Sequence, residues 1–492
     1  MKRNISPSLL IINFPLSIII ALFFLIPFVA SSQEWSEPTT IFSGSINRDA
    51  DAVVDSNGHL HVVWAHMVSD NYWKILYSKS VDKGQTWTEP FDVVRNTSLW
   101  MSSPRIALGK NNMLYVTYDY NTVNPANMYV HMKTFNGTSW SPSKVVSEGF
   151  PGSDFSKMAV DTAGVLYIFW INTGVDAGTF LYRTFYEDDF SEIIKPYGGT
   201  IRYSLRKPIF DKNNRLHCQG WVKYSNNYYG NLAYFSMNNG TWSDYTVISD
   251  SVLAHSDMDI DSLNNPHMVW WKVTSSVAPS DDGTFYSFLE NSEWSIPEYL
   301  SDNSEFQVIV IDALGNKHIV DKEKTENGYR HVHFQHKNGI WNGNDMEENS
   351  TGFSNYSLIQ QDSQICLFYS VRDTGVNNKA LNVRTYNIGS IVSVQNDFQN
   401  DFSLVTYPNP FSNEITISIE TKLSNACDLN IYNFHGSKVF SVQLVSNQKG
   451  FCSFVWDGID FNGSRLPSGV YLVQIIVGTS VTTRSVILMS DY

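Results

Sequence analysis

Charged and aromatic residues stand where a set of repeated segments begins and ends, and several of them are the arginines and lysines that bind anions. At the segment starts lie Arg48, Asp51, Arg105, Asp154, Lys157, Arg202, Tyr203, Arg206, Lys207, His255, Asp257, Glu305 and Tyr356, and at the ends lie His66, Asp119, Lys223 and Lys272. Because the planar fork of arginine holds an oxyanion through two hydrogen bonds, converging Arg and Lys would suit a carboxylate or a sulfate. The alternative is that many of these charges are solvated at a rim.

Two kinds of catalysis fit these residue types. A lyase acting on a polyuronate needs a cation that neutralises the carboxylate and a base near the α-proton. Arg206 or Arg202 would be the cation, and Tyr203 or His255 would be the base. A glycoside hydrolase needs two carboxyl groups flanking the scissile bond, for which Asp257 with Glu305 or Asp51 are the candidates. The spacing does not choose between the two.

A glycan-binding module without catalysis is the third interpretation. Aromatic side chains that we expect to be exposed could stack on sugar rings; they are Tyr72, Trp73, Tyr224, Tyr228 and Trp271. Because the chain shows no recognisable catalytic motif, binding of an extracellular glycan is favoured over any single enzyme class. The basic cluster favours an anionic glycan, and no metal or other cofactor is expected.

The elements that would position these residues are two repeats of the same period. The first is an apolar run, a polar turn and a second apolar run, with turn positions at Asp55, Gly109, Asp161, Asp211, Asp261, Asp312 and Gln361. The second is Trp-Ser-x-Pro or a relative of it, starting at Trp35, Trp87, Trp140, Phe190, Trp242, Trp294 and Trp341. A third strand fits between the two, so each period of about 51 residues holds four strands, which is typical of a propeller blade.

The phase of the repeats predicts how the fold closes. The strand at Trp35 precedes the first hairpin, and the last hairpin is followed by a third strand near 380–386 but by no fourth. We therefore predict an all-β fold, a seven-bladed β-propeller closed by the N-terminal strand, because this pairing removes two exposed sheet edges.

Four histidines occupy one blade position and invite a metal-site interpretation. His61, His217, His267 and His318 each stand six residues after a turn position, where other blades carry Tyr115 and Tyr167. A residue type that recurs at one blade position is better explained as scaffold, so we expect packing between blades and no metal site. The turn aspartates should cap their own turns.

The segment Ser80-Val81-Asp82-Lys83-Gly84-Gln85-Thr86-Trp87 matches the pattern S-x-D-x-G-x-x-W. It resembles the Asp-box of sialidase-like (BNR) repeats. The resemblance implies a turn tied by Ser80, Asp82 and Gly84, a Trp87 that packs between blades, and a functional face opposite this turn. The chain has no F-R-I-P motif; the nearest match, Pro104-Arg105-Ile106, lies in the second blade, so sialidase activity is not expected.

The C-terminal region carries YPNPF (Tyr407–Phe411), ITISIE, and WDGIDFNGSRLPSGVYLVQI (Trp456–Ile475). It resembles the type A sorting domain with which Bacteroidetes export proteins through the type IX secretion system. The resemblance implies a small β-sandwich, export to the outside of the cell, and the secretion machinery as a partner.

The remaining features bound the domains. Lys2, Arg3, an apolar run to Val29 and small residues at 30–32 indicate a signal peptide over 1–32; the propeller then covers 33–388, a linker 389–401 and the sorting domain 402–492. No membrane span is expected after cleavage.

A net charge of -14 argues against nucleic acid as a partner. Of the four cysteines, Cys218 and Cys366 should be free and buried, whereas a Cys427–Cys452 pair is left open.

Overall fold

The computed structural model describes residues 34–489, except 45, 70–71, 95–99, 122–126, 175–177, 199–201, 224–229, 273–282, 303, 327, 338, 351–352, 373–378, 389–401, 422–425, 434–436, 446–450 and 478–479. The predicted signal peptide and linker lie outside these residues. The chain divides into two compact units, Met1–Gly389 and Ser390–Tyr492. No helix in the described ranges has the length and apolar character needed to cross a membrane.

The first half of the N-terminal unit contains β1 (Thr39–Phe42), β2 (Ile46–Val54), β3 (Leu60–Ser69), β4 (Tyr72–Ser80), β5 (Phe91–Asp92), β6 (Trp100–Leu108), a short 3₁₀ turn (Lys110–Asn112), β7 (Leu114–Asn121), β8 (Tyr129–Phe135), β9 (Lys144–Val145), β10 (Ser153–Val160), β11 (Leu166–Asn172), β12 (Thr179–Tyr186), β13 (Asp189–Phe190), β14 (Arg202–Phe210) and β15 (Leu216–Lys223).

The second half contains β16 (Gly230–Asn238), β17 (Thr241–Trp242), β18 (Thr246–Ile260), β19 (Pro266–Lys272), β20 (Gly283–Glu290), β21 (Glu293–Trp294), β22 (Glu298–Ser301), β23 (Ser304–Ile311), β24 (Lys317–Thr325), β25 (Gly328–Lys337), β26 (Ile340–Ser350), β27 (Phe353–Gln361), β28 (Gln364–Arg372) and β29 (Lys379–Asn387).

Each repeated segment folds as an antiparallel hairpin. The hairpins are β2/β3, β6/β7, β10/β11, β14/β15, β18/β19, β23/β24 and β27/β28. Their turns use the aspartates as predicted: Asp55 Oδ1 accepts hydrogen bonds from the backbone N–H groups of Asn57 (2.9 Å) and His59 (2.8 Å). Asp211 makes the equivalent bonds in a later copy. These bonds satisfy backbone donors that the tight turn would otherwise leave unpaired.

Most sheets contain four strands in sequence order, such as β2-β3-β4-β5 and β10-β11-β12-β13, while β14 to β22 join in one larger sheet. The first strands of successive hairpins contact one another, and β27 contacts β2, so these inner strands close into a ring. The last sheet has the order β1-β29-β28-β27. Thr39 pairs with Val383 in it, which confirms the pairing predicted for the N-terminal strand.

The hydrophobic cores lie between neighbouring sheets. One cluster joins Leu60, Trp64 and Leu76 of the first sheet to Phe368 and Val383 of the last. Trp64, Trp170 and Trp270 occupy the same hairpin position in three copies and are fully buried. The aromatic residue that recurs at this position is thus explained by packing.

The Ser80–Trp87 turn has the geometry that the resemblance implies. Ser80 Oγ donates to Asp82 Oδ1 (2.8 Å) and accepts from the N–H of Gly84 (2.8 Å). Gly84 has φ +89°, a backbone conformation that favours glycine. The Trp87 ring packs edge-on against Phe368 of β28, at 5.8 Å between centroids, and so joins the first sheet to the last.

The recurring histidines belong to a buried chain of hydrogen bonds. His61 Nδ1 lies 2.7 Å from the hydroxyl of Tyr77, and its Nε2 lies 3.3 Å from Asp55 Oδ2. His217 makes the same contacts with Tyr234 and Asp211. We call this unit the Asp–His–Tyr bridge; His267 repeats it, and at His318 a histidine replaces the tyrosine. The bridges confirm that these histidines serve the scaffold.

The C-terminal unit contains two antiparallel sheets, which share one core. The strands are β30 (Phe402–Tyr407), β31 (Ile415–Thr421), β32 (Ala426–Asn433), β33 (Lys438–Val445), β34 (Phe451–Trp456), β35 (Gly469–Val477) and β36 (Ser480–Leu488). The sheet orders are β30-β31-β34 and β33-β32-β35-β36. Ile417 and Trp456 of the first sheet and Ile431 and Ile475 of the second are buried in the common core.

Candidate functional site: a cationic cavity inside the ring

A cavity of about 360 Å³ lies among the inner strands of the ring. Every inner strand contributes the residue that stands four places before its turn position, and these residues are Asp51, Arg105, Lys157, Lys207, Asp257, Val308 and Ser357. The cavity is therefore lined by one equivalent position of each repeat. Charge differs around the ring, because cations occupy three successive strands, β6, β10 and β14.

A β-bulge near the start of each inner strand helps to direct these side chains. The register with the second strand shifts between Ser102 and Arg105 in β6 and between Asp154 and Lys157 in β10, and every other hairpin has a comparable shift. Bulges often lie next to functional sites because they change the direction of a side chain. In β14 the strand opposite needs a glycine: a Cβ at Gly220 would lie 1.9 Å from the carbonyl oxygen of Ser204.

Two of the carboxylates hold neighbouring inner strands together. Asp51 Oδ2 accepts a hydrogen bond from the backbone N–H of Ile106 (3.0 Å), and Asp257 Oδ2 accepts one from Ile309 (2.9 Å). Lys207 Nζ lies 3.0 Å from Asp257 Oδ1. Because both carboxylates are engaged by the scaffold, Asp51 and Asp257 are poor candidates for the acid and base of a hydrolase.

Arg105, Lys157 and Arg206 form the cation cluster of the cavity. No carboxylate within the described ranges makes an ion pair with any of them. Burial lowers the pKa of Arg206 to about 10, with a further contribution from Arg105. Burial also lowers the pKa of Lys157 well below its ordinary value, and the positive charges of Arg105 and Arg206 lower it further. The cluster is thus electrostatically unfavourable when empty, and a bound anion would relieve the repulsion.

The Arg206 side chain is held in place by stacking. Its guanidinium carbon lies 4.7 Å from the centroid of the Trp221 ring. Stacking on an aromatic face leaves the edge of the guanidinium group available for in-plane hydrogen bonds. Arg105 uses one N–H on the carbonyl oxygen of Pro104 (2.7 Å), which orients its side chain.

An aromatic wall completes the cavity on the strands that carry no cations. The rings of His255 and Phe306 lie 3.9 Å apart between centroids, and Phe306 lies 5.3 Å from Tyr356. The Tyr356 hydroxyl is 2.9 Å from His331 Nε2. Burial lowers the pKa of His255 to about 4, with smaller contributions from Arg206 and Lys322, so the imidazole is neutral at pH 7.

A buried carboxyl pair lies close to the cluster. Asp119 is 1% exposed, and its Oδ2 accepts a hydrogen bond from the N–H of Phe155 (3.2 Å). Burial raises the pKa of Asp119 to about 7, and the nearby Asp154 adds to this shift. Burial raises the pKa of Asp154 itself to about 6. This pair therefore titrates near neutral pH, beside Arg105.

The structure brings together most, but not all, of the sequence-predicted site residues. Asp51, Arg105, Lys157, Arg206, Lys207, His255, Asp257 and Tyr356 line the cavity. The side chains of Arg202, Tyr203 and Glu305, and the whole of Tyr224 and Tyr228, lie outside the described residues. Their predicted roles stay predictions.

Three predicted ligand-binding cations do not line the cavity. Arg48 stacks on Trp73, with its guanidinium carbon 3.9 Å from the ring centroid, and pairs with Asp49. Lys272 Nζ lies 3.3 Å from Asp250, and Lys223 lies over Trp221. These three cationic side chains therefore contact neighbouring aromatic or acidic residues instead of the cavity.

The prediction that Trp73 is exposed is wrong. Trp73 is 7% exposed and packs in a core cluster, so it offers no surface to a sugar; Tyr72 is exposed as expected. Trp73 is buried because Arg48 covers one face and the core of the first two sheets covers the other.

Sequence reasoning missed Phe306 and Gln307, which also line the cavity. For Gln307 the repeat itself contained a signal. Five places before the turn position stand Ala50, Pro104, Ser156, Arg206, Ser256, Gln307 and Tyr356, and the long polar residues in this series all line the cavity.

Comparison with protein families identifies the C-terminal unit. The family model of the secretion system C-terminal sorting domain matches residues 405–489. The chain therefore carries this domain, which directs secretion or surface attachment through the type IX secretion system. A search of curated proteins finds no match.

Solved structures resemble the N-terminal unit. Polysaccharide lyase Uly1 superimposes with a TM-score of 0.51 at 9% identity, over 73% of this chain and 93% of that chain. A Dyadobacter fermentans protein of unknown function gives 0.46 at 10% identity, over 72% and 98%. The α-L-arabinanase of Penicillium chrysogenum gives 0.43 at 12% identity, over 72% and 98%. At these identities the likeness to the lyase concerns the fold alone, which is that of a β-propeller.

Proposed function

We propose that this chain, which carries a type IX sorting domain, is an exported glycan-binding protein whose propeller cavity holds an anionic sugar. The observation that carries the proposal is the cluster of Arg105, Lys157 and Arg206 in a cavity of about 360 Å³, a volume suited to a small ligand. An anionic group fits the cluster, and the ring faces of Phe306 and Tyr356 fit a sugar ring.

The proposed architecture is a signal peptide over 1–32, a seven-bladed propeller over 33–388, a linker over 389–401 and a sorting domain with a β-sandwich fold over 402–492. The seven hairpins and the ring of inner strands support the blade number. The two sheets around one core support the sandwich. Mass spectrometry of the exported protein would test the N-terminal boundary: a mature chain that starts far from residue 33 would contradict it.

Binding is tested by calorimetry with oligogalacturonate, oligomannuronate and a sulfated galactan oligosaccharide. Because a hydrogen bond to a charged group contributes about 1.5–3 kcal/mol, Arg206→Gln should weaken binding roughly tenfold to a hundredfold. Lys83→Gln removes the same charge at an exposed position in the Ser80–Trp87 turn and should leave binding unchanged. Equal losses in both variants, or no binding by the wild type, would contradict the proposal.

A lyase reaction in the same cavity is the second candidate, favoured by the neutral His255 beside Arg206. The cations would neutralise the uronate carboxylate, and His255 would take the α-proton. The electron pair of the C–H bond would form the double bond, while the oxygen on the β-carbon would leave with the pair of the carbon–oxygen bond and take a proton from solvent. The fold likeness to a polysaccharide lyase is an analogy that agrees with this.

The lyase is tested by the ultraviolet absorbance of the unsaturated product. His255→Gln should abolish product formation while leaving uronate affinity within about threefold, because the cation cluster is untouched. Product formation by the variant at the wild-type rate would remove His255 from the mechanism. No product from the wild type on any uronate would leave binding as the function.

A further inference from the structure

Gln307 has an unusual environment for a buried amide. Its side chain is 2% exposed and lines the cavity, yet neither Nε2 nor Oε1 has a hydrogen-bond partner among the described residues. Burying a donor and an acceptor without partners is unfavourable, so native structures rarely retain such a group without a role. The other cavity amide, Gln219, differs: it accepts a hydrogen bond from Ser256 Oγ (2.5 Å) and donates one to the Ser256 carbonyl oxygen (2.9 Å).

The β23/β24 hairpin, which carries Gln307, also departs from the residue pattern of the other hairpins. Gln307 pairs across the hairpin with Asp321. Asp321 stands nine residues after its turn position, where Trp64, Trp170 and Trp270 stand in other copies. A position that is a tryptophan packed in the core elsewhere is thus a buried carboxylate here, and Thr284 Oγ1 donates a hydrogen bond to it (2.7 Å). The hairpin that carries Gln307 is therefore more polar inside than its counterparts.

Gln307 lies on an inner strand far around the ring from those of Lys157 and Arg105. By the order of the inner strands around the ring, Gln307 on β23 is three steps from Lys157 on β10 and from Arg105 on β6, and two steps from Arg206 on β14. A ligand that fills the cavity would meet cations at one end and an amide with a free donor and a free acceptor at the other. A hydroxyl group is the partner that can use both, since it donates one hydrogen bond and accepts others.

We propose that Gln307 is a specificity-determining residue that binds a hydroxyl group of the ligand, so that the cavity selects hydroxylated anions, such as uronate sugars, over anions without hydroxyl groups. The proposal rests on the proposed function and adds the feature that distinguishes a sugar anion from an inorganic one. A site with a buried hydrogen-bonding group discriminates strongly against ligands that leave this group unpaired.

The test uses the full chain and the near-isosteric variant Gln307→Met, with oligogalacturonate, oligomannuronate and inorganic sulfate as probes in calorimetry. We expect affinity for the uronate glycan to fall about tenfold or more, and affinity for sulfate to stay the same, because the variant keeps every cation. The thermal midpoint should stay the same or rise, since an unpaired buried amide has been removed.

Gln219→Met is the matched control, because it removes an amide that lines the same cavity but is paired. This variant should lower the thermal midpoint, since it leaves Ser256 without its partner. A lower midpoint in Gln307→Met, with equal losses of glycan and sulfate affinity, would show a structural role and overturn the inference.

The two proposals fail in different ways. Full uronate affinity in Gln307→Met, together with lost affinity in Arg206→Gln, overturns only the role of Gln307. A wild-type protein that binds neither uronate nor sulfate overturns both.

Discussion

The Asp–His–Tyr bridge makes a quantitative prediction about acid stability. Asp55 has a side chain that is 4% exposed. Burial raises its pKa, but hydrogen bonds from the His59 N–H, from His61 and His59, and from the Asn57 N–H outweigh burial and lower the pKa from its ordinary 3.8 to about 2. A lowered carboxyl pKa means that the folded state favours the ionised form. This difference corresponds to about 2 kcal/mol of stability at neutral pH.

The perturbation is Asp55→Asn. The asparagine oxygen can still accept the two turn hydrogen bonds, but the ionised oxygen that faces His61 is lost. At pH 7 we expect the free energy of unfolding to fall by about 2 kcal/mol. The stabilisation is fully present above the unfolded pKa of about 4 and is lost as pH falls towards 2. The difference between wild type and variant should therefore shrink over this interval.

Asp161→Asn is the matched control. Asp161 forms the same turn, with its Oδ1 accepting from the Val165 N–H (2.8 Å), but Tyr167 stands where His61 stands in the first copy. This variant should lose less than about 1 kcal/mol, because no histidine contact is broken. Urea unfolding followed by tryptophan fluorescence at about pH 7, 4 and 2.5, which covers most of the interval from 4 to 2, measures both variants. Equal losses in the two variants, or a pH-independent difference for Asp55→Asn, would refute the role given to the bridge.

Three other predictions concern separate parts of the chain. Asp119→Asn should stabilise the protein at pH 8 and much less at pH 5, because the raised carboxyl pKa destabilises the folded state as pH rises through about 7; chemical denaturation at the two pH values checks this. Trp170→Ala should cost about 3–5 kcal/mol in the same assay, since the ring is 1% exposed, and a loss below 1 kcal/mol would contradict its place in the core. The thiols of Cys427 and Cys452 lie 3.6 Å apart, so mild oxidation should form an intramolecular disulfide that raises stability by roughly 3 kcal/mol and that Cys452→Ser prevents; non-reducing mass spectrometry after thiol labelling detects it.

The scaffold was largely predictable because the same residue types recur at equivalent positions of the repeated segments. The turn at Asp55 and the buried Trp64 have counterparts in other copies, so their types report the same local geometry several times. The recurrence of histidine at one position of the repeat also distinguishes the histidines of the bridges from site residues. Cys218 and Cys366 are free and buried as predicted.

The site was only partly predictable, because the bulges decide which residues reach the cavity. Arg48 and Arg105 both stand near segment starts, but only Arg105 follows the bulge of its strand, and Arg48 stacks on Trp73 instead. A bulge interrupts the alternation of a strand by a single residue, and one sequence does not distinguish this from ordinary variation in polarity. The structural roles of Asp51 and Asp257 were not predictable either. In a sequence, an aspartate that accepts a hydrogen bond from a neighbouring backbone N–H looks the same as an aspartate that performs catalysis.

The pairing of β1 with β29 also determines the order in which the fold can be completed. Arg384 Nε donates to the carbonyl oxygen of Ser36, across 348 positions of sequence, and this segment is the first of the propeller to be synthesised. Closing so long a loop is entropically unfavourable until the intervening hairpins have formed, and such distant contacts slow folding. The N-terminal strand must therefore wait unpaired for the last hairpin. A circular permutant of the N-terminal unit, opened at an exposed hairpin turn and with β29 joined to β1 by a short linker, would turn this distant contact into a local one.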